Sequence, residues 1–91
     1  MKDILVEGHR ILTTDDVADA VMGYALKLAE RGCADVVDFP SLHNGAPAQC
    51  SLLLGGGNAI AVVEAPFELS ASVGGSDRAL AEITRRADAL R

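Results

Sequence analysis

The sequence predicts an α+β domain: a small, mainly antiparallel sheet of about five or six short strands with two helices. Three observations predict it. Two segments carry apolar residues at helical spacing, the other apolar runs are short and rich in β-branched residues, and glycine-containing turns separate those runs. The expected order is roughly β-β-α-β-β-β-(β)-α, with the helices on one face of the sheet. Residues 1–91 are expected to form a single α+β domain.

The first predicted element is a hairpin. The segments DILVE and RILT flank Gly8–His9, and a glycine in the first loop position suits a two-residue type II′ turn. This register places Val6 opposite Ile11, which is a favourable apolar pair across two strands.

A long helix follows the hairpin. Thr13 or Thr14 can cap its first turn, two aspartates open it, and Gly32 suits the left-handed residue at its end. Apolar residues that recur at helical spacing predict its buried face: Val17, Val21, Ala25 and Leu28, widened by Met22 and Tyr24.

The middle of the chain predicts further strands. ADVVDF, residues 34–39, is expected to be a strand that Pro40 stops, followed by a polar loop with Asn44–Gly45 as its turn. QCSLLL and NAIAVVE are expected to be two more strands on either side of three consecutive glycines.

The glycines at 55–57 raise the question of a phosphate-binding loop. Such a loop needs a helix after the glycines, whose N-terminal N–H groups bind the anion. NAIAVVE is rich in β-branched residues, so the sequence favours a hairpin with Gly57 in the left-handed conformation. The predicted register pairs Leu52 with Ile60 and Cys50 with Val62.

The last third of the chain predicts one strand and one helix. FELSASV, residues 67–73, alternates strictly between apolar and polar residues, as a half-exposed strand does. Ser76 is expected to cap the final helix, whose buried face would comprise Leu80, Ile83, Ala87 and Leu90.

No residue pattern indicates catalysis, a cofactor or a metal. The spacings between Cys33, His43 and Cys50 match no common zinc motif, and both cysteines are interpreted as small apolar packing residues. No nucleophile, base and orienting group can be named together. We therefore expect no enzyme, no catalytic residue, no bound cofactor and no metal ligand.

Charge and composition limit the partners and the compartment. A net charge of -5 disfavours nucleic acid and anionic membrane surfaces, and the first ten residues do not resemble a secretory leader. Two cysteines are too few for a disulfide framework, which indicates the cytoplasm. Arginine outnumbers lysine six to two and alanine is abundant, a composition typical of bacteria with GC-rich genomes.

An apolar second face of the sheet predicts association. The hairpin register at the glycines would place Leu53, Ala61 and Val63 together on the face opposite Leu52 and Ile60. Either the last helix or a second chain has to cover them. We therefore expect a small acidic cytoplasmic module for self-association or protein–protein interaction, either a homodimer or a complex with another protein.

Two alternatives stay open at this point. One is a small-ligand-binding domain whose pocket lies near the loop of residues 40–47, beside Phe39 and His43. The other is an acidic inhibitor of a basic partner, which follows from the net charge alone.

Overall fold

Five strands form one antiparallel sheet in the order β4-β3-β2-β1-β5, and two helices pack against it. The computed structural model describes residues 1–65 and 73–90. The predicted fold class is confirmed, whereas the expected strand at residues 67–73 lies outside the described residues except for Val73. The elements are β1 (Lys2–Val6), β2 (His9–Thr13), α1 (Asp15–Arg31), β3 (Ala34–His43), β4 (Ala46–Gly55), β5 (Ile60–Glu64) and α2 (Ser76–Ala89).

Local signals in the sequence explain both ends of α1. The backbone N–H of Val17 donates to Thr14 Oγ1 at 3.3 Å, so Thr14 is the N-cap. Gly32 adopts φ 66°, and the N–H of Cys33 donates to the carbonyl of Leu28 at 2.9 Å, which closes the helix with a Schellman-type bond.

Helix α2 begins differently from the prediction. Gly75 is its N-cap with φ 87°, and it offers no side-chain cap. Ser76 is already helical, and its hydroxyl donates to the carbonyl of Val73 at 2.7 Å, so the prediction that Ser76 is the cap is wrong. The predicted apolar face is confirmed, with Ile83 fully buried at its centre.

The first hairpin forms with a shifted register. The turn residues are Glu7 and Gly8, at φ 47° and 83°, and Val6 pairs with His9. Two left-handed residues define a type I′ turn, which matches strand twist as well as the predicted type II′ turn does. The prediction of Val6 opposite Ile11 is wrong by two positions, and a shift of two leaves every side chain on its expected face.

Strand β3 passes through Pro40, where the sequence predicted that it would stop. The carbonyl of Pro40 accepts a hydrogen bond from Thr13 Oγ1 at 2.9 Å, so the ring nitrogen also faces β2 and not β4. On that side β3 forms a single bridge, Leu12 with Leu42. The N–H that proline lacks is tolerated there, because β3 has almost no ladder with β2 along this stretch and resembles an edge strand. Residues 40–47 therefore belong to a long hairpin with its turn at Asn44–Gly45, and not to a loop.

The glycines do not close a hairpin. Strand β4 pairs with β3 and β5 pairs with β1, so the predicted pairing of β4 with β5 is wrong. Only residues 56–59 connect the two edge strands. They can span at most about 18 Å, whereas in a flat sheet Gly55 and Ile60 would lie about 19 Å apart across the strands and, by the strand registers, about 36 Å apart along them. The sheet therefore curls around α1, which contacts β1, β3, β4 and β5.

Candidate functional site

The residues of the sheet that point away from the helices form its open face. Val36 and Leu53 lie directly opposite each other on β3 and β4, and their side chains are 48% and 50% exposed. Val63 on β5 is 48% exposed. Their sequence neighbours on the other side, such as Val37 and Leu52, are buried against the helices. Large apolar side chains therefore face water on one side of the sheet.

The structure places the predicted association residues on this face, but in two separate patches. Ala61 and Val63 lie on β5, while Leu53 lies on β4 at the opposite edge of the sheet. Leu53 is paired with Val36, and Ala61 is paired with Leu5. The expectation of one contiguous hairpin surface is wrong, because it rested on the incorrect pairing of β4 with β5.

Charged groups on the open face have partners. Asp3 is buried between Leu12 and Val63, its neighbours on the adjoining strands, and its carboxylate lies 3.7 Å from Arg10 Nε. Near the other patch, the hydroxyl of Ser51 donates to the carboxylate of Asp38. Both carboxylates therefore have partners within the chain, so neither of them indicates a bound ligand.

A polar cluster on the other side of the sheet joins both helices to β3. The hydroxyl of Tyr24 donates to Asp35 Oδ2 at 2.6 Å, and Arg86 Nη1 donates to the same oxygen at 3.1 Å. Arg86 Nη1 also donates to the carbonyl of Val36 at 3.0 Å. Helix α2 thus supplies a donor to the stretch of β3 that β2 does not reach.

Burial and hydrogen bonding set the protonation of this cluster. Desolvation, followed by the hydrogen bond to Asp35, raises the pKa of Tyr24 to about 12. The hydrogen bond from Tyr24 is the largest of several effects that lower the pKa of Asp35, and Arg86 adds to it. Tyr24 is buried and stays protonated, so its hydroxyl acts as a hydrogen-bond donor that holds α1 against β3. The sequence analysis did not identify this cluster, because no local pattern pairs Tyr24 with Asp35 or Arg86.

The two cysteines differ from each other. Both are free thiols, but Cys33 is exposed and Cys50 is partly buried. The expectation that Cys33 packs as an apolar residue is therefore wrong. Burial raises the pKa of Cys50, which keeps it a thiol. Within residues 1–65 and 73–90, no group of three His, Cys, Asp or Glu side chains is arranged to hold a metal.

Of the residues predicted to border a ligand pocket, Pro40 lines a cavity between β3 and α2. Phe39 is fully buried and His43 is exposed beside the hairpin turn, and neither lines this cavity or two others among the described residues. The cavity between β3 and α2 has a volume of about 360 Å³. Another, of about 500 Å³, lies between α1, the end of β4 and the start of β5; we call it the glycine-loop cavity.

Comparison of the chain with models of protein families, with curated proteins and with solved structures finds no match. In the part of the chain that the structure describes, neither helix is long and apolar enough to cross a membrane.

Proposed function

We propose that the chain is a small self-association module that acts through its surfaces and carries no catalytic centre. The observation that carries this proposal is the open face, where Val36, Leu53 and Val63 are each about half exposed. A solvated sheet face is normally polar, since one apolar side is enough to form the core. Large apolar residues on the second face favour burial against another surface.

A second copy of the chain is the occupant that we propose. A specific interface buries about 800 Å² on each partner. This is roughly one-seventh of the 5591 Å² of accessible surface of one chain. The molecule measures 35 × 27 × 18 Å, so its broad side has room for such a contact. Two open faces related by a two-fold axis would form a sheet-on-sheet pair with the helices outside.

We also propose a compartment, a source and an oligomeric state. We place the protein in the cytoplasm of a bacterium, as a homodimer. The support is compositional: two free cysteines suit a reducing compartment, and an arginine-rich, alanine-rich sequence suits a GC-rich genome. Its net charge of -5 supports a protein partner over a nucleic acid.

A charge placed in each patch tests the proposal. Val63→Glu and Leu53→Glu should each convert a dimer into a folded monomer, because the carboxylate would lose water in the interface without a partner. The matched control is Ala81→Glu, at an exposed position of α2 on the helix side that lines none of the described cavities, and it should leave the dimer intact. Light scattering at tens of micromolar measures the mass, and circular dichroism verifies folding. A wild-type monomer, or a control that dissociates as fully as Val63→Glu, would refute self-association through this face.

A further inference from the structure

The glycine-loop cavity has a buried floor and an apolar rim. Ala25 on α1, Leu54 on β4 and Val6 on β1 are buried at its base. Leu26 and Leu53 border it and are 59% and 50% exposed. Its volume of about 500 Å³ falls within the range of about 300–1,000 Å³ that is usual for small-molecule sites.

The lining of this cavity carries no charge among the described residues that form it. In a chain with 21 charged side chains (8 Lys and Arg plus 13 Asp and Glu), this is a marked segregation. The polar side chains there are those of Cys33 and Asn58, and the Cys33 thiol lies 3.6 Å from the carbonyl of Arg31, to which it donates. The lining comprises Val6, Met22, Ala25, Leu26, Ala29, Gly32, Cys33, Leu53, Leu54, Gly55, Gly56, Gly57, Asn58 and Ile60.

These groups select for an uncharged ligand. A carboxylate, phosphate or ammonium group would leave water and find no counter-ion, which costs several kcal/mol. An apolar molecule would gain contact with aliphatic side chains, and Met22 can adjust its shape to the ligand. One polar group on the ligand can be met by the Asn58 amide or by the backbone of the glycine loop.

A second copy of the chain does not present a side chain suited to fill this recess. Four large hydrophobic residues are exposed in the described part of the chain: Leu26, Val36, Leu53 and Val63. Leu26 and Leu53 form the rim itself, and Val36 and Val63 lie within strands β3 and β5 rather than in a protruding turn. A concave, uncharged recess with such a rim fits a small molecule better than it fits a copy of the same chain.

We propose that the glycine-loop cavity binds a small, uncharged and mainly apolar molecule between α1, the end of β4 and the start of β5. Leu53 borders both this cavity and the open face, whereas Val63 belongs to the open face alone. Ala29, exposed on α1, is the residue whose enlargement would fill the cavity from its solvent side without entering the core.

The test uses N-phenyl-1-naphthylamine, a neutral fluorescent probe, with the full chain. We expect saturable binding of one probe per chain and at least a ten-fold loss of affinity in Ala29→Phe. The matched control is Ala81→Phe, the same change at an exposed position of α2 that lines none of the described cavities, which should bind as wild type does. The anionic relative 8-anilino-1-naphthalenesulfonate should bind at least ten-fold more weakly than the neutral probe.

Three outcomes would overturn the proposal: absence of saturable binding, equal affinity in Ala29→Phe and Ala81→Phe, or tighter binding of the anionic probe. If Ala29→Phe does not fold, Leu26→Asp at the exposed rim replaces it and should weaken the neutral probe by a similar factor. Val63→Glu distinguishes ligand binding from self-association. Val63 does not line the cavity, so the monomeric variant should still bind the probe.

Discussion

Alanine substitution at Gly55, the last residue of β4, and at Gly57, in the loop that follows, tests whether the end of β4 lies against the backbone of Cys33 and Ala34. Gly55 and Gly57 have almost equal backbone angles, with φ of +85° and +86°. An L-residue in this left-handed region costs about 1–2 kcal/mol, and removal of glycine from the unfolded chain returns about 0.4–1 kcal/mol. Gly57→Ala should therefore destabilise the protein by about 1 kcal/mol, since a Cβ there meets no atom within 4 Å.

Gly55→Ala should cost considerably more. Its Cβ would lie 2.2 Å from the carbonyl oxygen of Cys33 and 2.9 Å from the Cα of Ala34, both of which are backbone atoms. The end of β4 would have to separate from the start of β3, where Gly55 pairs with Ala34. We expect a total loss of about 3 kcal/mol or more, which is a large fraction of the stability of a small domain.

Urea unfolding followed by circular dichroism measures the difference. With a slope of about 1–1.5 kcal/mol/M, a gap of 2 kcal/mol separates the two midpoints by more than about 1 M. Equal midpoints for the two variants, or a larger loss in Gly57→Ala, would show that the end of β4 does not approach Cys33 as described.

Two further predictions follow from the titratable groups. Tyr24 is the single tyrosine of the chain, so a phenolate absorbance titration should give a midpoint near 12 when folded and near 10 when unfolded. Because its pKa is raised on folding, the stability that Tyr24 contributes is present below pH 10 and is lost as the pH rises towards 12; a folded midpoint near 10 would contradict its burial against Asp35. A thiol-alkylating reagent at neutral pH should modify the exposed Cys33 at least ten-fold faster than Cys50, and equal rates in Cys33→Ala and Cys50→Ala would contradict their different exposure.

The ends and the buried face of α1, which neighbouring residues encode, were predicted correctly. Thr14, the apolar face of α1 and Gly32 act within one helix, and their effects follow from spacing alone. The choice of strand neighbours is different, because NAIAVVE is equally suitable for pairing with β4 or with β1. Because the loop between β4 and β5 is short, the prediction paired these two strands with each other, whereas β5 pairs with β1. The register of the first hairpin was wrong for a related reason, since both registers place Ile4 and Ile11 on the side of the sheet that faces the core.

The candidate site was predicted only in part for the same physical reason. The face on which Leu53, Ala61 and Val63 lie follows from the alternation of side chains along a strand, and that inference needs no knowledge of the partner strand. Their distance from one another depends on the strand order, which the local sequence does not contain. Arg86 shows the limit most clearly, because its partner Asp35 is 51 residues away in the chain.

The glycine loop connects the two surfaces that we assign a function. Strands β4 and β5 lie at opposite edges and run in the same direction, since four antiparallel steps separate them. A loop of four residues can join them only if the sheet curls and brings its edges together around α1. That curl leaves a gap between the edges on the helix side, which is the glycine-loop cavity. Both helices pack on the side of the sheet that buries Val37 and Leu52, and Val36 and Val63 on the other side are about half exposed. One short connection of left-handed glycines thus accounts for the recess between the two edges.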